Sequence, residues 1–301
     1  MRRWISFFAL VALVLMAGTN AVSAAAVTSS AAPQGHASKL QQQVDAWAGT
    51  LAAQPQFKSW KKATSSIVPL GPGTHSWLVT FRINRQPVGY MIVHATTEGG
   101  FMLGEYGTGA HPAFDPNTLY RSMVRQGMFT SFAEAIKKPL HLERLYVSPV
   151  LAVWKYKEAG GETYYLDAWT GEALPISDRL WQEQVSALHT GSDSAASVPV
   201  LSKLSNAKAN KAFDPYERMP WLTKSPLTKE QLGRLPNLLD QRSQIRFTAE
   251  LFHETVLFVY PAVGYHRWND NSLFIALDSS GTLCTRYVPM EALKQEGRFY
   301  N

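Results

Sequence analysis

The sequence has a single cysteine, Cys284, in 301 residues, so no intramolecular disulfide can form and a disulfide-stapled secreted scaffold is excluded. Stability must come from a buried core, which the length and a 46% hydrophobic content allow. Missing too are the HExxH and calcium-loop patterns, the G-x-S-x-G elbow of serine hydrolases, and the G-x-G-x-x-G and GK[ST] loops that cradle phosphates. Charged residues make up only 17%, and the basic ones are scattered, which argues against nucleic acid as a partner. The net charge of +6 favours anionic surfaces such as cell-wall polymers or lipid headgroups without naming one. Beyond the N-terminus no run is long and apolar enough to span a bilayer.

What is present begins with Arg2 and Arg3, an uncharged apolar run ISFFALVALVLMAG, and small residues ending AVSAAA. That is the layout of a secretory signal peptide over residues 1–24, with Val22 and Ala24 as the small residues before the cut; the alternative is an uncleaved anchor. Residues 25–38 are small and polar and are expected as a flexible leader. An exported protein without disulfides fits the bacterial envelope or exterior, so a secreted or envelope-associated location is expected, with no membrane span once the leader is gone.

The clearest architecture lies in His75 to Gly109, where Trp77, Val79, Phe81 and Ile83 alternate with Ser76, Thr80 and Arg82, and Val88, Tyr90 and Ile92 resume the alternation. One face is buried and the other wet, in three strands turned at Asn84–Gln86 and Thr96–Gly100, where Gly99 and Gly100 supply positive φ. Leu40, Val44, Trp47 and Leu51 recur at helical spacing and predict a helix covering that sheet. A helical region follows from Pro116 to Lys138, divided at Gly127. Strands return at His141–Ser148, Val150–Lys157 and Glu162–Ala168. Helix, strands, helix, strands is the order of an α+β protein, with antiparallel sheets and helices on one face.

Within this part, SFAEAIKKP, the strand pair and the closing Tyr165-Leu166-Asp167-Ala168, Thr170-Gly171-Glu172 run resemble a PepSY domain, the small module of secreted-peptidase propeptides and other extracytoplasmic proteins. The resemblance covers residues 131–174. It implies a binding or inhibitory module that acts outside the cytoplasm, and no catalytic residues.

From Ser186 to Lys211 the chain is rich in Ser, Ala and Lys without sustained periodicity, and residues 177–212 are expected as a linker between an α+β domain, 39–176, and a β-rich C-terminal domain, 213–301. In the latter, Ser225 or Thr228 is placed to cap a helix near Lys229, strands are expected at Ile245–Leu251, Thr255–Tyr260, Leu273–Asp278 and Leu283–Val288, and Pro289 opens a closing helix.

Candidate chemistry is thin. Thiol catalysis needs a cysteine, a base and an orienting group, and Cys284 with His266 and Asp270 or Asp278 supplies those residue types. The bland alternative is a buried structural cysteine. Glu105, His111 and Asp115 follow the third strand of the meander and have metal-ligand chemistry; the bland alternative is a strand-to-helix turn with polar side chains. The pairs Glu98 with Glu105 and Glu143 with Glu162 offer carboxylates for glycoside hydrolysis, though surface-strand carboxylates are ordinarily just solvated. Trp154, Tyr156, Tyr165 and Trp169 offer rings for a peptide or glycan, and an exposed sheet edge in the PepSY-like part would accept a peptide strand. The expectation is an exported non-enzymatic binding or peptidase-regulating protein without a cofactor, its partner an exported peptidase or a cell-wall polymer. The alternative is an extracytoplasmic hydrolase using the C-terminal Cys/His pair.

Overall fold

Alternating apolar residues in the first half fold as strands because alternate side chains of an extended chain share a face. The computed structural model describes residues 34–71, 74–137, 140–158, 160–190, 201–279 and 284–301. The expected signal peptide and the leader up to residue 33 lie outside the described residues. Helix α1 spans Gln34–Leu51, so the last residues of the expected leader already belong to it. A 3₁₀ segment, Pro55–Lys62, follows, then β1 (Thr64–Leu70), β2 (Ser76–Ile83), β3 (Gln86–Ala95) and β4 (Phe101–Thr108). Asn84 and Arg85 both take positive φ in the β2–β3 turn, as a two-residue hairpin requires. In the next turn only Gly99 does so; Gly100 does not.

Next come α2 (Pro116–Arg125), α3 (Phe132–Lys137), β5 (Leu142–Ser148), β6 (Leu151–Lys157), β7 (Thr163–Asp167) and α4 (Asp178–Thr190). Asp115 caps α2 by accepting from the backbone N–H of Asn117 and Thr118, with Pro116 in the first turn. Gly127, at positive φ, ends the turn beyond α2. The second half holds β8 (Leu204–Ala209), α5 (Lys229–Gly233), α6 (Leu235–Asp240), β9 (Ile245–Leu251), β10 (Val256–Trp268), β11 (Ser272–Ser279), β12 (Cys284–Pro289), α7 (Met290–Glu296) and β13 (Arg298–Tyr300). Thr228 begins α5 with a reciprocal capping box to Gln231.

The architecture is α+β with antiparallel pairing throughout. One sheet runs β1-β2-β3-β4-β12-β11-β10-β9-β13, with β8 also on β10, and a second sheet is β5-β6-β7. The large sheet crosses the expected domain boundary, because Tyr106 to Thr108 of β4 pair with Thr285 to Tyr287 of β12. The expected linker is not a bare connection either: α4 and β8 fall inside 177–212, and Leu201 packs beneath α1, its carbonyl accepting from Trp47 Nε1 at 3.1 Å. The polar composition of the segment suits a surface helix and an outer strand as well as it suits a linker. Among the described residues no helix is long and apolar enough to cross a membrane.

Each face of the large sheet carries its own core. On one face α1 lays down Leu40, Val44, Trp47 and Leu51, all buried, at roughly 1.5–3 kcal/mol for each large apolar side chain removed from water. Phe57 and Trp60 anchor the 3₁₀ segment beside them, with Trp60 stacked on Phe81 at 4.0 Å. On the other face α2, the small sheet, α6 and α7 cover Tyr90, Ile92, Cys284, Ile275 and Leu277.

Strand β10 runs eight residues past the expected Tyr260, through Pro261 and Gly264. A Cβ at Gly264 would lie 2.0 Å from the Lys208 carbonyl oxygen, so the glycine is what lets β8 pair there. Ala262 pairs with Leu277 of β11 and with Ile245 of β9, which places those two strands on opposite edges of β10. From Val256 to Pro261 only β9 pairs with β10, and the edge on the β11 side has no strand on it among the described residues.

Candidate functional site

The thiol pair comes apart in the sheet. His266 faces Phe274, which faces Pro289, while Cys284 faces Ser279, so the two lie at different levels of their strands. They also lie on opposite faces: Tyr287, beside His266, belongs to the α1 core, and Cys284 belongs to the other. Cys284 is buried, and burial pushes its thiol up to about 12, which suppresses the nucleophilic thiolate. Burial holds His266 down to about 3. Its Nδ1 sits 2.9 Å from the Tyr106 hydroxyl and its Nε2 3.0 Å from Gln56 Nε2. Asp278 is four residues further along β11 than Phe274, the residue opposite His266, or roughly 13 Å of strand, too far to orient the ring. Asp270 lies in the β10–β11 turn. The bland reading of Cys284 is the one the fold carries.

The metal candidates separate as well. Glu105 is fully buried and bonded to Arg286, whereas His111 Nδ1 lies 3.2 Å from Thr118 Oγ1 and 3.6 Å from Asp115 Oδ2 at the head of α2. Among the described residues no three His, Cys, Asp or Glu side chains gather as a metal would require. Of the four rings proposed for binding, Trp154 and Tyr156 are buried on one face of β6, and Tyr165 is buried toward the other. Alternate positions of short strands covered on both faces go inside. Trp169 is also buried, yet it lines a cleft.

That cleft, of about 750 Å³, opens between the first and second halves of the chain. One wall is α2, with Thr118, Arg121 and Arg125, beside the turn after β7. The other is Val256 to Tyr260 of β10, with Asp214 to Tyr216 over it. Five consecutive residues of one strand line the cleft, which an alternating strand achieves only by presenting its edge. This is the edge that β11 leaves uncovered.

The YLDAWTGE run builds the wall opposite. Asp167 Oδ1 accepts from Trp169 N at 2.9 Å, Thr170 N at 2.7 Å and Thr170 Oγ1 at 3.0 Å, an Asx turn that fixes Trp169. Gly171 is at φ 69°, where a Cβ would also lie 2.9 Å from Ser122 Cβ, so the turn seats against α2 only with glycine. Burial pushes the Asp167 carboxyl pKa up, against the pull of these bonds and of Arg286.

Beneath Trp169 lies a buried charged network. Arg286 Nη2 donates to Glu105 Oε2 at 2.9 Å and to the Pro149 carbonyl at 2.5 Å, and its guanidinium stacks 3.5 Å from the Trp169 ring centroid. Tyr90 and Tyr146 donate to the two Glu105 oxygens at 2.5 and 3.1 Å, and Trp169 Nε1 donates to Tyr90 Oη at 3.3 Å. Burial pulls the Arg286 pKa down, but the adjoining Glu105 carboxylate outweighs it and the net shift is upward, so Arg286 stays protonated. Burial followed by the Glu105 charge raises Tyr90 and Tyr146, which therefore stay protonated as donors.

Sequence reasoning passed over Arg286, Tyr90, Tyr260 and the β10 edge. The available signal was phase: in Cys284, Arg286 and Val288 a cation occupies a position that alternation sends inward. The chain matches no family model, no curated protein and no solved structure, so the cleft is read on its own chemistry.

Proposed function

We propose that this is an exported, non-enzymatic binding protein of the bacterial envelope or exterior, and that its cleft receives a polypeptide segment of an extracytoplasmic partner such as a peptidase. The observation that carries the reading is the cleft itself, whose two walls come from different halves of the chain and which contains a strand edge unpaired among the described residues. The PepSY-like reading of residues 131–174 supplies the type of role: α3, β5, β6 and β7 follow in the order that resemblance implies, and its closing motif forms the wall bearing Trp169. The β-rich part, 213–301, contributes the edge. Export rests on Arg2, Arg3 and the apolar run behind them. The hydrolase alternative loses its support with Cys284 and His266 on opposite faces.

A photo-crosslinking residue placed at Thr170 or at Tyr216, in cells that export the protein, tests this. Both positions line the cleft, and Lys58, exposed on the 3₁₀ segment, serves as control. A discrete adduct with one polypeptide from Thr170 and Tyr216 but not Lys58 is expected. Equal labelling from all three positions sinks the reading.

A further inference from the structure

Pro261 pairs with Arg246 of β9 but has no N–H to give, so the β9 ladder is made by the alternate residues, Val256, Phe258 and Tyr260. The other side of β9 agrees: a Cβ on Gly297 would lie 2.1 Å from the Thr248 carbonyl oxygen, so Thr248, opposite Val259, turns its backbone toward β13. Leu257 and Val259 therefore direct their N–H and C=O groups into the cleft, where no strand pairs with them among the described residues. The facing wall has no matching need. Leu174 N donates to Tyr165 O, Ala173 N to Gln126 Oε1 and Glu172 N to Thr170 Oγ1.

Charge adds a second constraint. Of the ionic residues lining the cleft, Glu172 lies 3.8 Å from Arg125, Asp167 is bonded within its own turn, His111 lies against Asp115 and Thr118, and Asp214 places its carboxylate on the β10 wall, away from α2, while accepting from Tyr216 N. Arg121 is exposed, with no acidic partner among the described residues. Across the cleft from the edge stand α2 and the turn after β7, a setting that favours a single extended strand over edge-to-edge docking of a second whole sheet.

We infer that the cleft binds an extended peptide by strand addition to Leu257 and Val259 of β10, with apolar side chains toward Trp169 and Tyr260 and an acidic side chain toward Arg121. The inference rests on the polypeptide-binding reading and adds the binding mode and the peptide chemistry.

The test uses the purified protein and two fluorescent, end-capped heptapeptides, one alternating Val and Glu and one alternating Val and Lys, followed by anisotropy. The Val/Glu peptide is expected to bind about tenfold more tightly or better. N-methylation of every second residue in one phase should weaken it by about 3–10-fold for each main-chain bond lost, and methylation in the other phase should change little. Val259→Pro removes an outward N–H while sparing the donors of the β9 ladder, and should reproduce the sensitive phase in a protein whose circular dichroism is unchanged. Arg121→Glu should reverse the preference between the two peptides. Absence of binding by either peptide, equal loss in both methylation phases, or a dimer that dissociates on Val259→Pro would overturn the inference. Equal phases together with continued crosslinking at Thr170 and Tyr216 would leave the cleft as the partner site and remove strand addition alone.

Discussion

The two faces of the large sheet each bury a polar cluster, and the clusters are built on opposite principles. Under α1, His266, Tyr106, Tyr287, Trp268 and Gln56 are neutral groups that bond to one another: Trp268 Nε1 donates to Tyr106 Oη at 3.0 Å, and Gln56 Nε2 donates to Tyr287 Oη at 3.0 Å. His266 and Tyr287 stack at 4.0 Å. On the other face Glu105 and Arg286 form a salt bridge, and their contacts reach β3, β5, the β5–β6 turn and the turn after β7. The neutral cluster closes a core with little desolvation cost, whereas the charged one must be held by geometry because each ion costs several kcal/mol to bury. That holding joins residues distant in sequence and supports Trp169 at the cleft. The difference separates a polar group that seals from one that positions.

The sharpest way to break the contrast is Arg286→Met. It leaves the buried Glu105 carboxyl without its cation and with only two tyrosine donors, and is expected to cost about 3–5 kcal/mol. The double variant Glu105→Leu with Arg286→Met should recover much of that loss, because the unpaired charge is gone. Urea unfolding of the single and double variants measures it. A single variant within about 1 kcal/mol of the parent would show that the charge pair holds nothing. On the α1 face, His266→Leu removes no charge and leaves only the Tyr106 and Gln56 groups short of a partner. The expected cost is about 1–3 kcal/mol, smaller than for Arg286→Met in the same titration. The reverse ranking would contradict the division into a sealing and a positioning cluster.

The local elements were legible in the sequence, and neither polar cluster was. Alternation in β2 to β4, the Leu40-to-Leu51 periodicity, the break at Gly127 and the Thr228 cap are local signals, each set by side-chain spacing or turn chemistry within a few residues. The pairing of β4 with β12 joins residues near 108 and 285, and nothing local specifies which strand meets which. The Glu105–Arg286 contact follows from that pairing, so neither residue stood out as a partner of the other. Pro261 and Gly264 were natural places to end a strand, and both lie inside β10. Pro261 fits because its nitrogen faces away from β9, and Gly264 because β8 approaches too closely for a side chain. The motif from Tyr165 to Glu172 was visible as a turn, but its Trp169 lines the cleft only because the second half of the chain packs against it.

Two buried groups, His266 under α1 and Glu296 on the other face, should also respond oppositely to mild acid. Burial lowers His266 from 6.5 to about 3 and, on the other face beside Tyr146, His94 from 6.5 to about 4. Their folded-state pKa values lie below the unfolded ones, so the stability they contribute is present above about pH 6.5 and is lost as pH falls toward the folded values. Glu296 behaves the other way. Burial raises its carboxyl from 4.5 to about 7, although Ser148 donates to it where α7 meets the β5–β6 turn. Its folded-state pKa is above the unfolded one, so its contribution is complete below about pH 4.5 and is lost as pH rises through about 7. Between pH 7 and 5.5, His266 should cost, and Glu296 restore, about 1–2 kcal/mol each, so the parent protein changes less than either group alone would dictate. Melting temperatures measured at both pH values resolve the two terms. Glu296→Gln should make the protein lose more stability on acidification than the parent does, and His266→Gln should make it lose less. If both substitutions shift the pH response in the same direction, the opposition between His266 and Glu296 is wrong.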